Sequence, residues 1–239
     1  MNGPEKISVV IPVFNEEENV LPLAREIVSV LSVTGNEFEI LFVNDASTDA
    51  TAARIQEAKR EFTQVRGISL KQRSGQTAAM LTGLRQADGE IIVTMDGDLQ
   101  NDPHDIPALV ARLQTCDVVC GYRARRQDSW ARRIASRLAN RVRNAVTHDG
   151  VRDTGCSLKA FRSKCINDLP PLHGMHRFMP AYFRLHGRAI EEMPVNHRPR
   201  THGRSKYTNL KRLPTTLLDL FGFWWFRRRL IRTDFESGA

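Results

Sequence analysis

Two aspartates separated by one residue follow a short apolar segment near the middle of the chain. Ile91–Met95 is typical of a buried strand, and Asp96-Gly97-Asp98 comes directly after it, with Gln100 close behind. Carboxylate and amide oxygens are the ligands that Mg²⁺ and Mn²⁺ prefer, commonly together with substrate phosphates. The spacing therefore favours a divalent cation that neutralises a diphosphate leaving group. The alternative is a solvated acidic turn that caps the next helix, because such a short pattern is frequent by chance.

Three further polar segments follow predicted strands. Pro12, Phe14 and Glu16 end the first strand, and the aromatic ring and the acid suit a planar base and its polar edge. Asp45 follows the second strand and can accept hydrogen bonds from a base or a ribose. Lys71–Gln76, with the sequence KQRSGQ, precedes a helix and suits a phosphate, although it lacks the P-loop pattern. Each segment also has a plain structural explanation as a strand end, a capping turn or a solvated loop.

Strands and helices alternate through the first half of the chain. The predicted strands are Ile7–Val13, Phe38–Val43, Val65–Leu70, Ile91–Met95 and Asp117–Cys120. This order predicts an α/β fold with right-handed βαβ units, a mostly parallel open sheet and helices on both faces. Ligands bind such sheets beyond the carboxyl ends of the strands, so Phe14, Asp45 and Asp96 are expected at one edge.

The second half of the chain is basic and contains two amphipathic segments. Between Arg123 and Val146, an apolar stripe that starts at Trp130 runs among many arginines. Leu210–Phe226 ends in a cluster of aromatic residues directly before Arg227-Arg228-Arg229. Both patterns are typical of C-terminal amphipathic helices that lie on an anionic membrane surface. Core or dimer helices with solvated arginines are the alternative.

The composition limits the class of protein. A chain of 239 residues with 41% hydrophobic residues is expected to form one α/β domain, residues 1–206, with a tail, residues 207–239. The net charge of +8 favours a polyanionic partner. The four cysteines form no metal-ligand pattern, and neither a secretory signal nor a spanning apolar run is visible. These features predict a cytoplasmic protein with small, buried cysteines.

Six segments together resemble family-two glycosyltransferases of the GT-A fold, in particular the dolichol-phosphate mannosyltransferases and their bacterial polyprenyl-phosphate relatives. The segments are VIPVFNEEENV, VNDASTDAT, VTMDGDLQNDP, GYR, DTGCSLKAF and HGRSKY. They follow the family's order, and the resemblance covers roughly Ile7 to Tyr207. The resemblance implies inverting transfer of a sugar from a nucleotide-diphospho-sugar, GDP-mannose or a UDP-hexose, to dolichyl or undecaprenyl phosphate. It also implies Mg²⁺ or Mn²⁺ as the cofactor.

The resemblance assigns roles to the residues that match the family's motifs. Pro12, Phe14, Glu16 and Asp45 match the residues of the family's nucleotide pocket. Asp96 matches the aspartate near the ribose, the metal and the diphosphate. Asp98 and Gln100 match the metal ligands. Phosphate-binding arginines are matched by Arg123 and by Arg132, with Arg133 as an alternative to Arg132. The R-x-x-G-x-S-K loop that closes over both phosphates contains Arg200, Ser205 and Lys206. Arg123, Arg132 and Arg200 are then expected to position the acceptor phosphate.

Three positions depart from the family's common pattern. Asn44 replaces the first acid of an Asp-Asp pair that ends at Asp45, which is expected to change one contact. Gly97 replaces the usual alanine, a change expected to be harmless. Cys156-Ser157 stands where Cys-Gly or Ser-Gly is common, so the backbone near the sugar pocket is expected to differ there.

Four other functions are compatible with parts of the sequence. A glycosyltransferase of the same fold with a non-lipid acceptor keeps every motif. A nucleic-acid-binding protein would explain the basic charge, but no helix-turn-helix, zinc-finger or RNP pattern is present. A nucleotidyltransferase is disfavoured, because that class usually has a glycine-rich loop near its N-terminus. A silent scaffold is disfavoured, because it does not need the acidic cluster. We therefore expect a peripheral enzyme on the cytoplasmic face of the membrane, without a nucleic-acid partner, and leave a homo-oligomer open.

Overall fold

The computed structural model describes residues 5–124, 143–199 and 209–230 of the chain, which contain seven strands, six complete α-helices and a helical segment at residues 143–147. The strands are β1 (Ile7–Val13), β2 (Phe38–Asn44), β3 (Val65–Ser69), β4 (Ile91–Thr94), β5 (Val118–Arg123), β6 (Lys159–Arg162) and β7 (Ile190–Val195). The helices are α1 (Val20–Leu31), α2 (Thr51–Glu61), α3 (Gln76–Arg85), α4 (Ile106–Arg112), α5 (Met175–Leu185) and α6 (Asn209–Arg229). Short 3₁₀ helices cover Pro103–Asp105 and Ser163–Asp168.

The strands form one sheet in the order β3-β2-β1-β4-β6-β5-β7. All neighbouring strands are parallel except β6, which is antiparallel to both β4 and β5. The predicted open, mostly parallel sheet is therefore confirmed. Because β6 runs in reverse, its first residues lie at the same edge as the carboxyl ends of β4 and β5.

Helices cover both faces of the sheet, as predicted. Along β1, Val9 and Ile11 pack into one apolar cluster with residues of α1, α2 and α4. Val10 faces the other side and packs with residues of α3, α5 and α6. Parallel strands that are buried on both faces are apolar at successive positions, which explains the continuous run ISVVIPV. The four cysteines are free thiols, and three of them are buried.

Helix α6 packs on α5 through aromatic contacts. The buried ring of Phe223 lies 5.9 Å from the ring of Phe178 and 5.1 Å from that of Tyr182, centroid to centroid. Arg177 donates to Asp219 at 2.9 Å. These contacts fix one side of α6. In the described ranges, we find no helix whose length and hydropathy suit a bilayer span.

Candidate active site

The loops that follow β1, β2 and β4 meet at one edge of the sheet. Val13 at the end of β1 pairs with Asn44 at the end of β2, and the Asp45 amide donates to the Val13 carbonyl at 2.9 Å. Three non-glycine residues in these loops have a left-handed backbone, with φ of 52° at Asn15, 52° at Ala46 and 61° at Leu99. Such conformations are costly and occur often at ligand sites. This edge is therefore the candidate active site.

The loop of residues 71–75, between β3 and α3, is held by Asp45. The buried Asp45 carboxylate accepts the Ser74 amide at 2.7 Å on Oδ1 and the Gly75 amide at 2.9 Å on Oδ2. Gly75 has a φ of 89°, which favours glycine, and α3 begins at the next residue. Asp45 thus fixes the start of α3, and each of its carboxylate oxygens has a second lone pair.

Phe14 lies beneath a side chain of the same loop. The Arg73 guanidinium is centred 4.2 Å from the centroid of the Phe14 ring, a cation–π contact. A nucleobase on that face of Phe14 would displace Arg73. Glu16 lies where the first loop enters α1, and its carboxylate accepts the Asn19 side-chain amide at 2.6 Å. Pro12 is half-buried in β1.

The two aspartates of the acidic motif have different surroundings. Asp96 is half-buried, and its Oδ1 accepts the side-chain amide of Gln76 at 3.0 Å. Asp98 is buried, and its Oδ1 accepts the Gln100 backbone amide at 3.2 Å. A Cβ at Gly97 would lie 2.6 Å from Cγ1 of Val13. Glycine therefore lets this turn approach β1 closely, and an alanine there would require Val13 to shift.

His197 lies beside this motif. It was not among the site residues selected from the sequence. Its Nε2 lies 3.5 Å from Nε2 of Gln100, and His197 forms an isolated β-bridge with Asn101. The site thus combines carboxylates, an amide and an imidazole. Carboxylates, amide oxygens and imidazoles are all groups that bind divalent cations.

A second acidic cluster is formed by Glu26, Asp102 and His104, whose possible ligand atoms lie within 4.8 Å of one another. Arg198 donates to Glu26 at 2.6 Å and 3.0 Å and to Asp102 at 2.6 Å. Burial acts to raise the pKa of Asp102, but hydrogen bonds from His104 and the Arg198 charge outweigh it, so the pKa is lowered. The arginine already binds both carboxylates. The cluster therefore anchors the segment that carries His197.

Arg123, at the end of β5, is paired with Asp153. Its Nε donates to Oδ2 at 2.7 Å and its Nη2 to Oδ1 at 2.8 Å. Gly155 lies close to this pair, because a Cβ there would be 3.0 Å from Nη2 of Arg123. A phosphate at Arg123 would therefore meet a guanidinium whose plane is already fixed.

The model of the family described as Glycosyl transferase family 2 matches residues 8–169. The chain belongs to glycosyl transferase family 2. This glycosyltransferase is 39% identical over 240 residues to the dodecaprenyl-phosphate galacturonate synthase of Rhizobium johnstonii, with 98% of the chain and 71% of the relative covered. The predicted family and enzyme class are thus confirmed.

Solved structures of glucosyl-3-phosphoglycerate synthase from Mycobacterium tuberculosis resemble the glycosyltransferase over 96% of its chain. The complex with Mn²⁺, UDP and glucosyl-3-phosphoglycerate has a TM-score of 0.72 at 21% identity, with 82% of that chain covered. The complex with Mg²⁺ and UDP has a TM-score of 0.68 at 21% identity, with 81% covered. This likeness confirms the predicted GT-A fold.

In the glycosyltransferase, three of the residues selected from the sequence, Phe14, Asp45 and Asp96, converge on residues 71–76. Their partners and the neighbouring residues were not assigned individual roles from the sequence: Arg73, Ser74 and Gln76 in that segment, and Asn101, Asp153, Ser157 and His197 elsewhere. Residues 71–76 had a recognisable signal, a basic loop before a helix. Asn101, Asp153 and Ser157 lie within the segments that carry the family resemblance, whereas His197 lies in none of them. Arg132, Arg200, Ser205 and Lys206 lie outside the described residues.

Proposed function

We propose that this glycosyltransferase transfers a sugar, with inversion, from a nucleotide-diphospho-sugar to a polyprenyl phosphate in a reaction that depends on Mg²⁺ or Mn²⁺. The observation that carries the proposal is the convergence of the Asp45-bound loop and the Asp96–Asp98 motif at one sheet edge. The galacturonate synthase relative, named for a dodecaprenyl-phosphate product, supports the lipid acceptor. The solved neighbours, which hold UDP with Mn²⁺ or Mg²⁺, support the donor and the metal.

Asp96, Asp98 and Gln100 would hold the cation. When bound, a divalent cation stabilises the negative charge that develops on the departing nucleotide diphosphate. Asp98 is suited to this task because it is buried and its carboxylate is oriented by the Gln100 amide. Gln76 keeps Asp96 in a fixed orientation at the end of β4. Such preorganised groups lower the barrier because they need no rearrangement during the reaction.

The nucleotide would lie over the loops after β1 and β2. Phe14 would stack against the base once Arg73 moves off its ring. The displaced Arg73 guanidinium would then be a favourable partner for the diphosphate. Asp45 holds the loop of residues 71–75 and retains lone pairs for a base or ribose donor. Pro12 and Glu16 complete this part of the proposed pocket.

The acceptor phosphate would lie toward Arg123. A phosphate oxygen is already anionic at neutral pH, so the reaction needs no strong general base. It needs cations that bring two negative groups together, and the arginine fork suits a phosphate. We assign this task to Arg123, with Arg132 and Arg200, and assign closure over the phosphates to Ser205 and Lys206.

We further propose that α6 attaches the enzyme to the cytoplasmic face of an anionic membrane. On the side of α6 that faces away from α5, four large apolar residues are at least half exposed: Leu217, Leu218, Phe221 and Trp225. Trp224 is 37% exposed, and Arg228 lies over its ring at 4.4 Å. Aromatic residues favour the headgroup level and arginines favour anionic lipids, so this face matches both parts of a membrane surface.

The proposal also concerns which activated sugar serves as the donor. The relative's name indicates galacturonate, so a UDP-activated uronic acid is the first donor to test, beside UDP-glucose and GDP-mannose. A phosphorylated small molecule is the alternative acceptor, because the solved neighbours act on phosphoglycerate.

A donor panel incubated with undecaprenyl phosphate and Mn²⁺ tests the proposal, with the lipid product read by mass spectrometry. We expect one donor to yield a lipid that is heavier by one sugar residue, which is joined to the lipid phosphate as a phosphodiester while the nucleoside diphosphate leaves. We expect no product when EDTA removes the metal. A parallel reaction with 3-phosphoglycerate tests the alternative. Product from that acceptor and none from the lipid would overturn the proposed acceptor.

A further inference from the structure

Asn101 is the point where three parts of the active site meet. Its side-chain oxygen accepts the backbone amide of Asp96 at 3.2 Å and the hydroxyl of Ser157 at 2.7 Å. Both donors point to one atom, so the amide side chain can satisfy them in only one orientation. Asn101 is also buried and forms the bridge to His197.

Ser157 belongs to the loop that precedes β6, and this loop contacts both the end of β4 and the end of β5. The Ser157 carbonyl accepts the Thr94 hydroxyl at 2.8 Å, at the end of β4. Earlier in the same loop, Asp153 holds Arg123, and the Cys156 amide donates to the Asp153 carbonyl at 3.2 Å. The loop therefore bridges the Arg123 side and the Asp96 side.

We propose that Ser157 is a positioning residue that acts through Asn101 to hold the Asp96–Asp98 turn in its cation-binding shape. The inference rests on the proposed metal site. The turn needs support from outside, because Leu99 has a left-handed backbone at 61°.

Removal of the hydroxyl in Ser157→Ala leaves the Asn101 oxygen with one donor fewer and lets its side chain rotate. Loss of one such hydrogen bond should weaken Mn²⁺ binding by roughly three- to tenfold. Ser157→Thr keeps a hydroxyl and should restore most of the affinity. Ser157→Gly, which also lacks the hydroxyl, should behave like Ser157→Ala and is the second variant if Ser157→Ala fails to fold.

The experiment titrates Mn²⁺ into the full chain, with and without UDP, and follows binding by electron paramagnetic resonance. The melting temperature and the metal-free affinity for UDP are measured on the same samples. Thr34→Val is the matched control, because the Thr34 hydroxyl donates to the Leu31 carbonyl at 2.8 Å beyond the end of α1. We expect it to leave Mn²⁺ affinity unchanged.

Weaker Mn²⁺ binding in Ser157→Ala, with unchanged melting temperature and unchanged metal-free UDP affinity, would support the inference. Equal Mn²⁺ affinity in wild type and Ser157→Ala would overturn it and leave the proposed function standing. A parallel loss of Mn²⁺ affinity, UDP affinity and melting temperature would also overturn it, since the residue would then be structural. Wild-type protein that binds no Mn²⁺ would overturn the proposed metal-dependent function as well.

Discussion

Arg123 and Asp153 form two parallel hydrogen bonds at the carboxyl end of β5, at 2.7 Å and 2.8 Å. Both side chains are largely buried, with 17% and 11% of their surfaces exposed. The pair fixes the plane of the guanidinium before any ligand arrives. An arginine oriented in this way binds a phosphate at a lower entropic cost than a mobile one.

Arg123→Ala should abolish sugar transfer and leave nucleotide binding largely intact, because the role assigned to Arg123 concerns the acceptor. Arg123→Lys should not restore activity, since an ammonium cannot make two parallel hydrogen bonds. Asp153→Asn should raise the KM for the acceptor by about tenfold while the donor KM stays constant. Steady-state kinetics with each substrate varied in turn checks these outcomes. Turnover retained in Arg123→Ala with unchanged acceptor affinity would refute the assigned role.

Asp98→Asn should abolish Mn²⁺ binding and reduce kcat by roughly a hundredfold or more, because it removes a buried carboxylate from the proposed metal site. Glu26→Gln alters the second acidic cluster, whose two carboxylates already accept hydrogen bonds from Arg198. That variant should retain the metal. Mn²⁺ stoichiometry measured by equilibrium dialysis separates the two clusters. Metal lost in Glu26→Gln and kept in Asp98→Asn would reverse our assignment.

Phe14→Ala should weaken UDP binding by roughly ten- to a hundredfold, since a base stacked on an aromatic ring contributes about 1–3 kcal/mol. Arg73→Ala removes the cation that covers the ring in this structure and should weaken binding less. Isothermal titration calorimetry with UDP checks both. Unchanged UDP affinity in Phe14→Ala would show that the base binds elsewhere.

The double variant Phe221→Ala/Trp225→Ala should lose binding to anionic vesicles, because it removes two exposed aromatic side chains from α6. Val33→Ala is the control, since Val33 is 84% exposed and lies just beyond α1. Flotation with phosphatidylglycerol vesicles at low salt measures binding, and phosphatidylcholine vesicles test the dependence on charge. Wild-type protein that does not float at low salt would contradict membrane attachment through α6.

Glu39 should contribute pH-dependent stability at the edge of the sheet opposite the active site. Burial acts to raise its pKa, but hydrogen bonds from Ser8, the Asp88 amide and Arg66 outweigh burial, so the pKa is lowered from 4.5. A carboxylate with a lowered pKa stabilises the fold fully above its unfolded-state pKa. That stability is lost as the pH falls through the folded-state pKa.

Glu39→Gln should therefore lower the free energy of unfolding by about 2 kcal/mol at pH 7, the value of a hydrogen bond to a charged group. The difference from wild type should shrink as the pH falls below about 4. Urea unfolding at several pH values measures both effects. A difference that stays constant with pH would show that the charge of Glu39 is not involved.

The sequence by itself determined the first five strands, the alternation of strands with helices, and the edge at which the candidate site lies. Buried parallel strands are apolar along their whole length, so β1, β2 and β4 were visible as short runs, and the polar residues after them had to meet at the carboxyl edge. The Asp96–Asp98 motif and its neighbours were found in this way. Those signals are local, because each depends on residues adjacent in the chain.

Only the tertiary structure decided which side chains support that edge. Ser157 and Asn101 are 56 residues apart, and Arg123 and Asp153 are 30 apart. Their contacts exist because β6 runs in reverse between β4 and β5, which brings the loop before it to the active-site edge. Strand order and direction follow from the packing of the whole sheet, and no local pattern of residues encodes them.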